Sequence, residues 1–350
     1  MQTIFFQHSL YVPGEQPQDN GWIKLNTNES PYPPSPRVLD ALHTQQAQNL
    51  SRYPDPTAKN LVEVIATYYH VQKENVFVSN GSDKTLAFCY LAFCQNGICC
   101  PAISYGFYPV FAELFQISCE TVPLSPMDLS INPESFFHKN KPILLANPNA
   151  PTGTALTLEQ LEQILKNNPN QLVMIDEAYV DFGAQSAIVL TRRYDNLLVI
   201  QTCSKSRSLA GARLGFAIGH SELIQDLNLI KFSFNPYNLN RMTIQAGVAA
   251  FLDVDYFQAT TQSVVNTREK TKRQLQHLGF HVLNSLANFL FVSHEDFSGQ
   301  TLYEALKQEK ILVRTFQNAE LTPYVRISIG TDSEMAILID AIKKIISTTK

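Results

Sequence analysis

Lys205 stands in the stretch Thr202-Cys-Ser-Lys-Ser-Arg-Ser-Leu-Ala-Gly-Ala-Arg213, just after the apolar run Leu197 to Ile200. A lysine at the end of a buried strand is partly desolvated. That lowers its pKa and frees the amine to act as a nucleophile toward an aldehyde. The hydroxyls of Thr202, Ser204 and Ser206, with the guanidiniums of Arg207 and Arg213, are donors of the kind a phosphate ester needs. The same residues would also suit an ordinary surface loop. Asp176 opens Asp176-Glu-Ala-Tyr179 after a second apolar run, Leu172 to Ile175. A carboxylate there can be a metal ligand, a general base or the partner of a protonated ring nitrogen. Asn80-Gly-Ser-Asp83 lies between a strand-like and a helix-like segment, where backbone amides can bind an anion and Gly81 permits the turn. A plain helix cap would use the same residues. Asn147-Pro-Asn-Ala-Pro-Thr-Gly153 is a rigid turn carrying two amide side chains.

These clusters share one kind of place. Val76 to Ser79, Ile143 to Ala146, Leu172 to Ile175, Leu197 to Ile200 and Leu214 to Ile218 are short apolar runs without alternation. Between them lie segments with helical spacing at Leu61 to Tyr69, Thr85 to Phe93 and Thr157 to Leu165, the last with Thr157 and Gln160 at capping-box spacing. Unalternating strands separated by helices predict a parallel sheet covered on both faces. The polar clusters follow the carboxyl ends of those strands, where open α/β sheets bind ligands. Beyond about residue 250 the texture changes. A polar helix over Thr260 to Leu278 precedes strands at Phe289 to Val292, Ile311 to Val313 and Tyr324 to Ile329. Helices at Thr301 to Gln308 and after the Thr331 to Glu334 cap complete a smaller α+β unit. The proline-rich stretch with Pro31, Pro33, Pro34 and Pro36 predicts an extended arm.

Composition bounds the rest. The chain has 350 residues, 45% hydrophobic and 17% charged, so it is long enough for about two domains and too apolar to be disordered. A net charge of −4 argues against nucleic acid or an anionic membrane as the main partner. No apolar run reaches the roughly 18 residues of a membrane span, and Met1 to Phe6 lack a basic lead, so neither a span nor a signal peptide is expected. Six cysteines (Cys89, Cys94, Cys99, Cys100, Cys119 and Cys203) lie mostly in apolar surroundings without C-x-x-C spacing, which predicts reduced thiols and a cytoplasmic location. His70, His138, His277 and His281 show no metal spacing, and no metal is expected. Trp22, Phe107, Tyr108 and Phe111 are expected to be packing, and Tyr256 and Phe257 core at a domain interface.

Taken in order, the pieces resemble fold type I pyridoxal 5′-phosphate (PLP) enzymes, and among them the histidinol-phosphate aminotransferase family. Tyr11-Val-Pro-Gly-Glu-Gln-Pro17 and Lys24-Leu-Asn-Thr-Asn-Glu-Ser-Pro-Tyr32 are similar to its N-terminal arm. Tyr53-Pro-Asp, Gly81-Ser-Asp, Ser104-Tyr-Gly-Phe-Tyr, Pro-Asn-x-Pro-Thr-Gly153, Asp176-Glu-Ala-Tyr, Ser204-Lys with Leu-Ala-Gly-x-Arg213, Asn288-Phe and Val325-Arg-Ile-Ser-Ile-Gly-Thr331 follow in register. The resemblance runs from about residue 10 to the C-terminus. It implies an α/β fold with a large, doubly wound, mixed and mostly parallel sheet domain at 30–250. It also implies a smaller α+β domain at 251–350 and an N-terminal arm, 1–29, that goes with the smaller domain.

The resemblance also implies roles. Lys205 would hold the PLP aldehyde and then move the substrate's Cα proton. Asp176 would pair with the protonated ring nitrogen, Tyr179 would bond the ring 3-oxygen, and Tyr105 would stack on the ring. Ser82, Asp83, Thr202, Ser204 and Arg213 would hold the phosphate. Tyr53 would reach the phosphate of the other subunit's cofactor, which makes the expected assembly a homodimer. Arg326 would grip the α-carboxylate of glutamate or 2-oxoglutarate, Arg314 the substrate phosphate, and Tyr11 and Asn28 would line the pocket. The implied reaction moves an amino group from L-histidinol phosphate to 2-oxoglutarate in histidine biosynthesis. Threonine-phosphate decarboxylase and an aromatic amino-acid aminotransferase are alternatives that share the fold. The chain departs from the family pattern in three places. Ala150 stands directly before Pro-Thr-Gly where the family has Asn, leaving Asn149 as the candidate for the 3-oxygen. Lys84 follows Gly-Ser-Asp in place of an acidic or amide residue, and is a candidate phosphate contact. Thr315 to Val325 carries no glycine-rich stretch.

Overall fold

The computed structural model describes residues 13–43 and 48–349. Twelve strands are defined among them: β1 (Ile23–Lys24), β2 (Val76–Ser79), β3 (Ile98–Pro101), β4 (Cys119–Val122), β5 (Ile143–Ala146), β6 (Val173–Asp176), β7 (Leu197–Thr202), β8 (Gly215–Gly219), β9 (His281–Val282), β10 (Phe289–Ser293), β11 (Ile311–Leu312) and β12 (Tyr324–Ser328). Seven form one sheet in the order β2-β8-β7-β6-β5-β3-β4. Neighbours from β4 to β7 run parallel, while β8 is antiparallel to both β2 and β7. Because β4 and β5 lie on opposite sides of β3, the order reverses beside β3. Such a switch point opens a crevice at the carboxyl ends of the strands.

The unalternating strands are explained by burial on both faces. Ile143 and Leu145 of β5 join Val173, Ile175, Leu197 and Val199 under the helices Lys59–Tyr69 and Arg241–Leu252. Leu144 and Ala146 join Met174, Leu198 and Ile200 under the helices Ser82–Phe93, Phe107–Leu114 and Ser221–Phe234. A strand with apolar neighbours above and below needs no polar face. A second core surrounds the antiparallel sheet β12-β10-β9, packed by Val264, Leu275, Leu302, Leu306, Leu338 and Ile342 of three helices. There β1 pairs in parallel with β11, so the N-terminal segment is tied to chain 288 residues downstream, Ile23 against Ile311.

Four strands escape the sequence pattern: the two-residue β1 and β9, and β3 and β4 of the large sheet. Cys-Cys-Pro breaks the apolar run in β3, and β4 is a partly exposed edge with Glu120 and Thr121. Of the proline-rich stretch expected to be extended, Pro31, Pro33 and Pro34 lie outside any helix, but Pro36 starts one, Pro36–Ala41, with Ser35 as N-cap and Pro36 in the first turn, where its missing N–H costs nothing. The polar helix begins earlier than its pattern, at Val254. Its Phe257 is buried beside the Arg207 guanidinium and the Tyr68 ring, and the Tyr256 hydroxyl donates to the Pro33 carbonyl. All six cysteines are free thiols, Cys119 being the one that is not fully buried. No helix among the described residues is long and apolar enough to cross a membrane.

Candidate active site

At the carboxyl ends of β5, β6 and β7 lies a cavity of about 220 Å³, closed on its far side by residues of the N-terminal segment and of the second sheet. Its floor is Asp176, the last residue of β6, which is 4% exposed. Oδ2 accepts a hydrogen bond from the Tyr108 hydroxyl at 2.9 Å, and Oδ1 is buried with no hydrogen-bond partner among the described residues. Burial pushes this carboxyl up to about 6, partly offset by the Tyr108 hydroxyl. A buried carboxylate oxygen without a donor calls for a cation or an N–H from a ligand.

Beyond the end of β7 the chain turns, and Lys205 enters the same cavity. Its Nζ donates to the Thr27 carbonyl at 3.0 Å. Burial, reinforced by the Arg326 charge, lowers the amine to about 8. The turn is held from behind. Ser206 donates to Asp181, and the buried Arg207 donates to the Ala250 carbonyl at 2.9 Å with its guanidinium 3.9 Å from the Phe251 ring and 4.1 Å from Phe257. A lysine lowered by burial loses its proton early. Labelling of Lys205 by an amine-reactive reagent, followed by peptide mass spectrometry on cofactor-free protein, is therefore expected to rise through about pH 8. A rise only near the ordinary lysine value of 10.5 would mean that the amine is solvated.

One end of the cavity is built to take an anion. Gly81 holds a φ of +81°, and the helix Ser82–Phe93 starts directly after it, so its first amides face the cavity mouth. Gly215 has no room for a side chain: a Cβ there would lie 2.3 Å from the Ser82 amide nitrogen. The Thr202 hydroxyl donates to Ser204 Oγ at 3.0 Å and accepts from the Ser204 amide at 3.2 Å. Arg213 donates to Asp83 Oδ2, and Tyr105 donates to Asp83 Oδ1, both at 2.9 Å. Asp83 thus orients a guanidinium and an aromatic ring at the rim.

The opposite wall comes from the other sheet. Arg314 and Arg326 exchange backbone hydrogen bonds of 3.0 and 2.8 Å as an antiparallel pair, which sets both side chains on one face. Both line the cavity, and Arg326 Nη2 donates to the Asn26 carbonyl at 3.0 Å. Two guanidiniums side by side repel each other, so the wall favours bound anions. Asn28, at φ +54°, donates to the Tyr179 hydroxyl at 3.0 Å and accepts from Ser328 Oγ at 2.8 Å.

The family model for aminotransferase class I and II matches residues 20–342. The histidinol-phosphate aminotransferase of Brachyspira hyodysenteriae is 52% identical over 339 residues, 96% of each chain. That of Clostridium beijerinckii is 47% identical over 342 residues, 97% of this chain and 95% of its own. The chain belongs to the histidinol-phosphate aminotransferase family. The solved structure of the Sinorhizobium meliloti histidinol-phosphate aminotransferase, in complex with pyridoxal-5′-phosphate, has the same fold, with a TM-score of 0.85 at 24% identity over 94% of this chain and 91% of its own.

Enzymes of this family are aminotransferases that depend on PLP, and the cavity fits that group. An orphaned carboxylate oxygen at the floor matches a protonated ring nitrogen, a buried amine stands within the same cavity, and an amide- and hydroxyl-lined cradle at the rim matches a phosphate. Ser82, Asp83, Tyr105, Asp176, Tyr179, Thr202, Ser204, Lys205, Arg213, Asn28, Arg314 and Arg326 all line it. Other expected residues are placed elsewhere. Lys84 is on the helix Ser82–Phe93 but turns away, its Nζ 4.6 Å from the Phe234 ring centroid, because an amphipathic stem packs well on an aromatic face. Asn149 sits behind the wall. Its amide nitrogen donates to the Ile103 carbonyl and Thr152 Oγ1, and its oxygen accepts from Ser104, so Ala150 lines the cavity in its place. Tyr53 is outside the cavity and 78% exposed. Tyr11 lies outside the described residues. Tyr108 was expected to be packing; it is 0% exposed, yet it carries the one hydroxyl bonded to Asp176. Its position three residues after Tyr105, on the same face of a helix start, is the sequence signal that could have found it.

Proposed function

We propose that this chain transfers the amino group of L-histidinol phosphate to 2-oxoglutarate, giving imidazole acetol phosphate and L-glutamate, as a step of histidine biosynthesis. The observation that carries the reading is the count of cations around one cavity. Arg213 belongs to the cradle at the rim, which leaves Arg314 and Arg326 on the opposite wall for substrates that bring a phosphate or two carboxylates. The names of the two relatives reported above support the same reading. They do not favour a threonine-phosphate decarboxylase or an aromatic amino-acid aminotransferase.

Bound in this cavity, PLP supplies an electron sink that acidifies the Cα–H of an amino compound joined to it. The chain's own residues do the rest. Ser82, Thr202, Ser204 and Arg213 hold the phosphate, and Asp83 orients Arg213 and Tyr105. Asp176 keeps a negative charge opposite the ring nitrogen, with Tyr108 holding the carboxylate in place. Tyr179, bonded by Asn28, would hydrogen-bond the ring 3-oxygen, and Tyr105 would stack on the ring. Lys205 would be the amine that holds the PLP aldehyde carbon, and the same amine would take the donor's Cα proton as general base and return it as general acid. A pKa near 8 suits both duties close to neutral pH. Arg326 binds the α-carboxylate of the acceptor and Arg314 the donor's phosphate. The reading includes a cytoplasmic homodimer in which Tyr53 reaches the partner subunit's cofactor. It also includes an arm at 1–29, a large domain at 30–250 and a small domain at 251–350.

The test is turnover by the purified holoenzyme. Glutamate should form from histidinol phosphate and 2-oxoglutarate far faster than from phenylalanine, and threonine phosphate should release no carbon dioxide. Absence of turnover with histidinol phosphate removes the proposal. The two arginines should separate by substrate. Arg326→Gln is expected to raise KM for 2-oxoglutarate, and Arg314→Gln that for histidinol phosphate, each about 10- to 100-fold, the worth of charge-assisted hydrogen bonds. Equal effects on both substrates would refute the assignment.

A further inference from the structure

Away from the cavity, the stretch 231–241 holds the short segment 53–56 at three points. Lys231 Nζ donates to the Pro56 carbonyl at 2.8 Å. Arg241 Nη2 donates to the Tyr53 carbonyl at 3.2 Å. The Tyr237 ring stacks on the Tyr53 ring at 4.4 Å between centroids, 22° from parallel. Between the two anchored carbonyls, Asp55 holds the turn into the helix Lys59–Tyr69, accepting from the Thr57 and Lys59 amides at 2.9 Å each. Tyr53 nevertheless remains 78% exposed.

The lysine is the unusual member. The helix Ser221–Phe234 buries Ile224, Leu227 and Lys231, a spacing of three and four that marks one inward stripe. Packing calls for an aliphatic residue at the third place, yet a lysine stands there, 2% exposed. Lysine is almost never buried to that degree unless paired. Burial lowers its amine to about 8, with the Asp55 charge acting the other way. A stripe position occupied by a desolvated amine has its return in the one carbonyl it holds.

We propose that Lys231 is a positioning residue: it fixes the 53–56 segment so that Tyr53 is presented in one orientation to the partner subunit's cofactor phosphate. The proposal rests on the reading that Tyr53 crosses to that site. With a carbonyl fixed at each end and the ring stacked at the Tyr53 end, the segment has little freedom left to lose when a ligand binds. Removing the amine frees one end while leaving every group of the cavity intact. The consequence falls on cofactor affinity, not on the chemical step.

The experiment uses full-length protein stripped of cofactor and retitrated with PLP, followed by fluorescence quenching, with hydrogen exchange of peptides covering 52–58 as a second readout. Lys231→Met, which keeps the stripe apolar, is expected to weaken PLP binding about tenfold. It should speed exchange in 52–58 and leave kcat at saturating PLP within about twofold. Lys231→Arg keeps a donor and is expected to stay within about threefold in affinity. It also serves if the methionine variant does not fold, since a tenfold loss in Lys231→Arg, with exchange unchanged, counts against the proposal. A double cycle with Tyr53→Phe decides the route. Lys231→Met should cost much less in the Tyr53→Phe background, and an equal cost in both backgrounds overturns the proposal, as do unchanged affinity and exchange in Lys231→Met. Should Tyr53→Phe alone leave PLP affinity untouched, the crossing of Tyr53 is what fails, and the exchange data then decide by themselves whether Lys231 anchors the segment.

Discussion

Lys205→Ala is expected to lower transamination by on the order of 10⁴-fold, the upper end of what a positioned general base contributes, and to remove the visible absorbance that a lysine-bound PLP gives. Both effects have one origin. The Lys205 amine is the amine that the fold brings into the cavity, held at the Thr27 carbonyl and lowered to about 8 by burial and the Arg326 charge. Alanine removes the attachment point and the proton carrier together, while the cradle of Ser82, Thr202, Ser204 and Arg213 stays in place. PLP should therefore still bind, weakly and without the visible band. Single-turnover measurements with added methylamine separate the two losses, because a free amine can carry the proton but cannot restore the tether. A variant that kept its colour and its rate would show that the reacting amine lies elsewhere.

Asp176→Asn carries the second large effect, and it has two opposite signs. Activity should fall by about 10³-fold, since removing one partner of a buried charge pair costs about 3–5 kcal/mol. Stability of the cofactor-free enzyme should rise. The native carboxyl is pushed from 3.8 up to about 6, so the folded state binds more protons than the unfolded state between those values. Stability contributed by this group is thus present at low pH and lost as pH rises through about 6, a penalty of about 3 kcal/mol at neutral pH. The asparagine carries no charge to desolvate. Calorimetry on cofactor-free protein should find Tm raised by a few degrees at pH 8, by about half as much at pH 5, and nearly unchanged only below the unfolded carboxyl's value of 3.8. PLP should stabilise the native enzyme more than the variant at pH 8. A variant with wild-type activity would exclude the proposed pairing with a ring nitrogen, and a Tm lowered at pH 8 would exclude a desolvated carboxylate at Asp176.

Tyr108 shows why part of this site was hidden from sequence reading. In sequence it is one aromatic among Tyr105, Phe107 and Phe111, and its helix is apolar enough to be judged core. It is core, since the ring is buried; only the neighbouring strand end reveals that its hydroxyl meets Asp176. Asn149 and Lys84 show the reverse. Each stands inside a motif, and motif membership says nothing about which way a side chain turns. A buried amide spends its donors on the nearest carbonyls, as Asn149 does on Ile103, and a flexible cation settles on an aromatic face, as Lys84 does on Phe234. The Pro36 helix and the strands Ile98–Pro101 and Cys119–Val122 were missed for a related reason: a cap or a neighbouring strand decided their state, and neither is a local property.

Sequence alone determined the alternation of buried strands and covering helices, and the gathering of polar residues behind the strand ends. It also placed Lys205 and Asp176 at two of those ends, because hydrophobic period and turn chemistry are local and survive in a linear reading. Tertiary structure decided what those residues face. Arg314 and Arg326 become one wall by strand pairing, and Asn28 meets Tyr179 across 151 positions. The lowered amine and the raised carboxyl exist only because distant segments exclude water from both. The strand end announced a lowered Lys205 amine, but the raised Asp176 carboxyl and the cross-strand register depend on what arrives from elsewhere in the chain, and no local pattern announced them.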